Sequence, residues 1–305
     1  MKPKQYLMKN INSILIGFGL LGFASFANTA KADEFTPDKC IDAIGEKVDG
    51  KYTKTAAQIN NLNVFFCTET PERFEITIHE LGLCTSPPIT ITENSETFSK
   101  DNCVTTMASD GIAADLASGL VALPSMDGRP ESNTYSHAYI IITNTFGLRG
   151  SVTIKDANTG AYNTYCSMTD EDQFGSNSTG PTTGGSLCTP ENHTEILDTF
   201  GSTDENGVHT FDAYFPDESM DGGGKVSALL TKGDANLTTA QNQGEVERLI
   251  GVFETNSGSP VVINDATNGL EMELTVTDIG YGIAFGGGEP IYFGSMPFKP
   301  IFSTF

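Results

Sequence analysis

Cysteine is the residue type with the plainest chemistry in this chain. There are six: Cys40, Cys67, Cys84, Cys103, Cys166 and Cys188. An even count in a chain that opens with an export signal reads as three disulfides. Neighbour pairing, Cys40–Cys67, Cys84–Cys103 and Cys166–Cys188, is the simplest of the connectivities. Each bridge would close a short loop and contribute about 3 kcal/mol. No Cys-x-x-Cys occurs, which argues against a zinc site or a redox pair.

Oxygen ligands come next. Asp204, Asn206, Asp212, Asp217 and Asp221 crowd one region, with Asp198, Glu205 and Glu218 beside them. Calcium takes about six to eight oxygens from such loops, so these residues are candidate calcium ligands. Solvated turns are the rival reading. Asp156-Ala157-Asn158-Thr159-Gly160 opens like a calcium loop, but Ser167 stands where a bidentate Glu would be needed. Tyr135, Tyr139, Tyr162 and Tyr165 are candidate stacking faces for a carbohydrate, in a chain without Trp.

Catalytic patterns are mostly missing. His79-Glu80-Leu81-Gly82-Leu83 misses the zinc-protease motif, because Leu83 replaces its second His. The other histidines, His137, His193 and His209, show no ligand spacing. There is no Gly-x-Ser-x-Gly and no phosphate-cradling Gly-Lys-Ser/Thr. Paired carboxylates for glycoside hydrolysis stay open, since 39 acids always offer pairs. Glu80, Glu271 and Glu273 fall on predicted strands and are expected to face solvent.

The elements that must position these residues are strands. Ala138 to Ile142 is apolar on both alternating faces and predicts a central strand covered on both sides. A turn is expected at Gly147-Leu148-Arg149-Gly150, then a half-buried strand with Val152 and Ile154. Glu72 to Leu83 alternates, with Phe74, Ile76 and Ile78 on one face. Further strands are read at 63–67, 89–92, 226–230, 246–253, 260–263, 271–277, 279–285 and 291–293. Asp204-Glu205-Asn206-Gly207, between Ile196–Phe200 and Val208–Phe215, predicts a hairpin. One helix is expected after Thr36-Pro37, with Ile41, Ile44 and Val48 on a face and Asp49-Gly50 ending it. Ser109 to Leu120 reads as a further helical turn. Ser167 to Asn192, rich in Ser, Thr and Gly, reads as an excursion loop pinned by Cys166–Cys188. GSVTIKDANTG at 150–160 echoes GSPVVINDATNG at 258–269, through shared turn chemistry or through duplication. The apolar tail 292–305 is expected to be an edge strand closing the core, or a strand that pairs with a second copy. The fold class is therefore all-β: an antiparallel β-sandwich with long disulfide-stapled loops and one short N-terminal helix.

Residues 1–32 have the layout of a secretory signal: Lys2, Lys4 and Lys9, an apolar run, then Ala30-Lys31-Ala32. The remaining chain reads as an N-terminal helical and extended segment over 33–70 and a sandwich over 71–305, with two halves, 71–166 and 191–305. The formal charge is −22; losing Lys2, Lys4, Lys9 and Lys31 takes it to −26. So acidic a surface repels phosphate backbones and excludes nucleic acid as a partner. No membrane span is expected after signal cleavage. The reading is an exported protein of the periplasm, cell surface or extracellular matrix with a structural or interaction role, more readily a non-enzyme, whose partners are envelope or surface proteins or copies of itself. A calcium-supported carbohydrate-binding module and an extracellular carboxylate hydrolase are the alternatives.

Overall fold

The computed structural model describes residues 38–92, 95–118, 123, 130–155, 160–169, 188–201, 210–220, 224–233 and 239–305. The signal segment, the 204–207 hairpin turn, the Asp156–Thr159 loop and most of the Ser167–Asn192 excursion lie outside them.

The chain opens with α1 (Cys40–Ile44), β1 (Lys47–Val48), β2 (Lys51–Tyr52), α2 (Ala56–Asn61) and β3 (Phe66–Glu69). Helix α1 is shorter than expected. Gly45 leaves the helical region at φ +111, and Lys47 and Val48 pair with Tyr52 and Lys51 instead. Asp49 and Gly50 both have positive φ, +51 and +75. Asp-Gly is therefore the two-residue turn of a hairpin, not the end of a helix. Helix α2 was not anticipated. Thr55 and Gln58 form its capping box: Gln58 N donates to Thr55 Oγ1 at 3.3 Å, and Thr55 N donates to Gln58 Oε1 at 2.9 Å.

Next come β4 (Arg73–Cys84), β5 (Ile89–Ile91), β6 (Glu96–Phe98), β7 (Cys103–Asp115), β8 (Asn133–Tyr135), β9 (His137–Thr143), β10 (Thr145–Arg149), β11 (Ser151–Lys155) and β12 (Tyr162–Cys166). The second half holds β13 (His193–Ile196), β14 (Tyr214–Ser219), β15 (Lys225–Thr231), β16 (Arg248–Glu254), β17 (Val261–Ile263), β18 (Leu270–Thr275), β19 (Tyr281–Gly286), β20 (Glu289–Ser295) and β21 (Lys299–Thr304).

One eight-stranded antiparallel sheet organises the molecule, in the order β13-β10-β4-β9-β16-β15-β14 with β7 on the other side of β4. Strand β9 is the central strand expected of Ala138–Ile142. The expected turn at 147–150 is corrected: Gly147 and Leu148 pair with both β4 and β13. The break falls at Asn144, whose Nδ2 donates to Leu197 O at 3.1 Å and Val246 O at 3.4 Å. The expected helical turn after Ser109 is also corrected, because Ser109–Asp115 continues β7. Strand β13 stops at Ile196, and Phe200 N donates to Asp212 O at 2.7 Å across the two segments that flank the expected hairpin. The two echoing stretches take different partners: β11 pairs with β12, whereas β17 pairs with β8.

Alternation sorts the side chains into layers. Phe74, Ile76, Ile78, Ile140 and Ile142 pack inward against Ile283 and Phe293 of the β3-β19-β20 sheet. That face-to-face packing makes the sandwich. Tyr139 and Ile141 point the other way, with Leu229, Ile250 and Val252, beneath Phe98 of the β5-β6 hairpin. At one end Leu83, Ala138, Tyr135, Val261 and Ile263 meet Phe302 of the last strand, which pairs with β18. Both halves of the chain thus contribute strands to one sheet. No helix among the described residues is long and apolar enough to cross a membrane.

Candidate functional site

Strand β4 carries the most elaborate polar cluster. Its alternation would put Glu80 on the inner face with Phe74, Ile76 and Ile78. A bulge between Ile78 and Glu80 changes the phase: Ile78 opposes Ile142, but Glu80 opposes Ile141. A bulge adds one residue to one strand and so switches the face of everything after it. Glu80 therefore emerges on the outer face, where Tyr139 OH donates to its Oε1 at 2.6 Å. Thr105 Oγ1 donates to the same oxygen at 3.0 Å, and Lys100 Nζ lies 2.9 Å away. The Tyr139 ring lies over Gly82, where a Cβ would come within 2.2 Å of it. Glu80 thus faces outward as expected but is half-buried and enclosed, not solvated; Glu271 and Glu273 are exposed as expected.

The electrostatics follow from this enclosure. Burial pushes the Glu80 carboxyl up, but the hydrogen bonds from Tyr139, Lys100 and Thr105, with the Lys100 charge, outweigh it and hold the group below the usual carboxylate range. Burial, then the adjacent Glu80 carboxylate, push the Tyr139 phenol well above its ordinary value. A carboxylate with its oxygens taken up by three protein donors is suited to tying β4, β7 and β9 together.

A second nest ties the N-terminal hairpin to β3. Tyr52 OH donates to Glu69 Oε2 at 2.5 Å, and Lys47 Nζ reaches the same oxygen at 2.6 Å. The Lys47 ammonium also sits 4.8 Å from the Tyr52 ring centroid. Burial, then Glu69 and Asp278, drive the Tyr52 phenol far upward. The third lies between the layers. Glu195 of β13 is buried, and its Oε2 accepts from Ser295 N of β20 at 2.8 Å. Tyr281, opposite Ser295 in the ladder, is raised well above its ordinary value, first by burial and then by Glu72 and Glu195, with a Ser167 hydrogen bond opposing.

The three disulfides join the neighbours expected: Cys40–Cys67, Cys84–Cys103 and Cys166–Cys188. Cys84 and Cys103 are directly opposite across the β4–β7 ladder, beside the Glu80 cluster. Cys40–Cys67 clips α1 onto β3, and Cys166–Cys188 closes the excursion loop where Ser167 Oγ donates to Glu191 O at 2.7 Å.

The four tyrosines expected as binding faces divide. Tyr135, Tyr139 and Tyr165 are only 3%, 2% and 5% exposed, so their rings are core packing and offer no face to a ligand. Tyr162 is half-buried, with the Lys51 ammonium 5.3 Å from its ring centroid. Of the calcium candidates, Asp204, Asn206 and Asp221 lie outside the described residues, and only the backbone of Asp217 is described, in β14. Asp212 is exposed, and its Oδ1 accepts from Tyr214 N at 3.0 Å. Among the described residues no three His, Cys, Asp or Glu side chains are grouped to hold a metal ion. Among the described residues the histidines stay apart: His79 Nε2 contacts Thr143 Oγ1 at 3.0 Å, His137 Nδ1 contacts Ser136 Oγ at 2.8 Å, and His193 packs edge-on to Phe293; His209 lies outside them.

The remaining feature is apolar. A cavity of about 50 Å³ lies between the two layers, lined by Ile140, Phe146, Phe215, Phe253, Phe298 and neighbouring apolar residues, with Ser295 among them. No protein-family model, curated protein or solved structure matches the chain.

Proposed function

We propose that this protein is exported and acts as a disulfide-locked β scaffold, with a structural or interaction role at the cell surface, in the periplasm or in the extracellular matrix. The observation that carries this reading is the cysteine inventory: all six are paired, and none is free. Such bridges persist in oxidising compartments. Cys40–Cys67 joins α1 to β3, Cys84–Cys103 joins β4 to β7, and Cys166–Cys188 closes the loop after β12. The three carboxylate nests have the same character, since each joins two or more strands through donors of the chain itself. The basic, apolar, small-residue order of residues 1–32 supports export. Partners are other envelope or surface proteins, or further copies of the chain.

The test is cell fractionation with intact-mass analysis under non-reducing conditions. The expected species lacks residues 1–32, is six hydrogens lighter than its reduced form, and is found in the envelope or medium. A cytosolic chain retaining Met1 and six free thiols overturns the reading. A melting scan of the purified protein with and without calcium separates the alternative: a saturable rise in melting temperature with calcium moves the assignment to a calcium-supported ligand-binding module, through Asp212 and its neighbours.

A further inference from the structure

Strands β11 and β12 form a two-stranded ribbon whose inward side chains, Val152, Ile154 and Tyr165, are buried in the core. The outward face carries Lys155 opposite Tyr162 and Thr153 opposite Thr164. All four are half-buried, and the two threonine hydroxyls lie 2.9 Å apart. The N-terminal hairpin packs alongside. Lys155 N donates to Lys54 O at 3.2 Å, and the Lys51 ammonium of β2 lies 5.3 Å from the centre of the Tyr162 ring. Residues directly opposite in a ladder have Cβ atoms about 5 Å apart. Two lysines from different elements therefore flank one aromatic ring, whose negative face helps to hold the Lys51 ammonium.

These lysines are out of keeping with the rest of the chain. With 39 acidic side chains against 17 basic ones, a basic group meets a carboxylate readily. Lys47, Arg73, Lys100, Arg149 and Lys232 each do. Lys51 and Lys155 form no ion pair among the described residues, although exposed Asp49 stands two residues before Lys51. Two like charges about one ring repel each other, and an anion between them relieves both.

What the face offers selects what it takes. The ammonium groups offer charge-assisted hydrogen bonds to a carboxylate. The Tyr162 ring offers an apolar surface to C–H groups. The threonine pair keeps a hydroxyl hydrogen and lone pairs for a ligand's own hydroxyls. A bare carboxylate leaves the ring and the threonines unused, and a neutral sugar leaves the ammonium groups unused. A long polyanion extends over the acidic remainder of the surface and is repelled, whereas a single ring stays within about one Debye length, ~8 Å, of the lysines and feels chiefly them.

We infer that this face is a binding site for a short acidic saccharide, a pyranose bearing one carboxylate. The carboxylate sits between Lys51 and Lys155, the C–H groups of the sugar lie against the Tyr162 ring, and its hydroxyls bond to Thr153 and Thr164. Binding here is independent of where the protein resides or what it assembles with.

The test follows the amide resonances of the purified, oxidised, isotope-labelled protein at about 0.15 M salt, titrated separately with D-glucuronate, D-glucose, acetate and pentaglutamate. Glucuronate is expected to shift the amides of Lys51, Lys155 and Tyr162 saturably, and the other three to bind at least about tenfold more weakly, having lost either the charge-assisted bonds or the ring contact. Lys51→Gln with Lys155→Gln should weaken glucuronate by about tenfold, and Tyr162→Ala by about fivefold, with the remaining resonances unmoved. If Tyr162→Ala does not fold, the wild-type panel and the lysine variant still decide the matter. Any of four outcomes overturns the inference: no saturable shift with glucuronate; acetate binding as tightly, which means an adventitious ion only; glucose or pentaglutamate binding as tightly; or an unchanged glucuronate affinity in the lysine variant.

Discussion

Two buried hydroxyls, Tyr139 in β9 of the main sheet and Ser295 in β20 of the three-stranded sheet, have opposite surroundings. Tyr139 OH, on the outer face, is gripped by Glu80 and Thr105, at 2.6 and 3.0 Å. Ser295 Oγ, facing the inner side, stands in a carbon-lined gap with no partner among the described residues. Around Tyr139 the structure is closed: its ring occupies the space over Gly82, and the Cys84–Cys103 bridge pins the adjacent strands. Around Ser295 packing is incomplete. The difference teaches that burial alone does not fix a hydroxyl's partners in this protein. The richest polar cluster is saturated from within, while Ser295 Oγ is buried with no partner among the described residues.

That contrast can be broken, beginning with the largest effect. Phe298→Ala removes a 5%-exposed ring that touches both Phe74 and Phe253, and should destabilise by about 3–5 kcal/mol in urea unfolding. A smaller loss would mean that the inner face can collapse onto its own cavity. Replacing Cys84 and Cys103 together by Ala should lower stability by about 3 kcal/mol, the entropy of the closed loop, whereas a negligible loss would show that the β4–β7 ladder holds without its bridge. Glu80→Ala strands two hydroxyls and should remove about 2–3 kcal/mol.

Deleting each hydroxyl in turn is the sharpest comparison. Tyr139→Phe leaves Glu80 short of a donor and should destabilise by about 1–2 kcal/mol; Ser295→Ala deletes a hydroxyl that has no partner and should be neutral or stabilising by up to about 1 kcal/mol. Losses of equal size in the two variants would erase the distinction. The smallest effect is on pH dependence. Glu80 is held below its ordinary value, so its contribution is complete above that value and is lost as pH falls through the folded one. The urea midpoint of the wild type should fall more steeply than that of Glu80→Gln below about pH 4.3, and parallel curves would remove Glu80 from the account.

Much of the strand layout was legible because it rests on local alternation. Ala138–Ile142, Val226–Leu230, Val246–Phe253 and the tail all lie in or across strands of the structure. Where the reading failed, one local signal had two uses. Asp49-Gly50 ends helices and also turns hairpins; which it does here depends on Lys47 and Val48 finding partners. The Thr55-x-x-Gln58 capping box is a local helix-start signal in the sequence, and α2 follows from it. Glu80 faces outward as read, but its enclosure by Tyr139, Thr105 and Lys100 depends on a bulge that nothing in the run RFEITIHELGLC marks. Tyr135, Tyr139 and Tyr165 look identical to surface tyrosines in sequence, since burial is a property of what lies opposite.

The amino-acid order by itself therefore decided that this protein is a stack of antiparallel strands, because period-two alternation is an interaction between residues close along the chain; which of the possible cysteine pairings forms is seen only in the tertiary structure. Tertiary structure alone decided which polar groups are satisfied and where space remains. Glu80 meets Tyr139 across a ladder, and Ser295 lies among apolar side chains carried from residue 140 to residue 298. Those encounters exist only once the two layers close on each other.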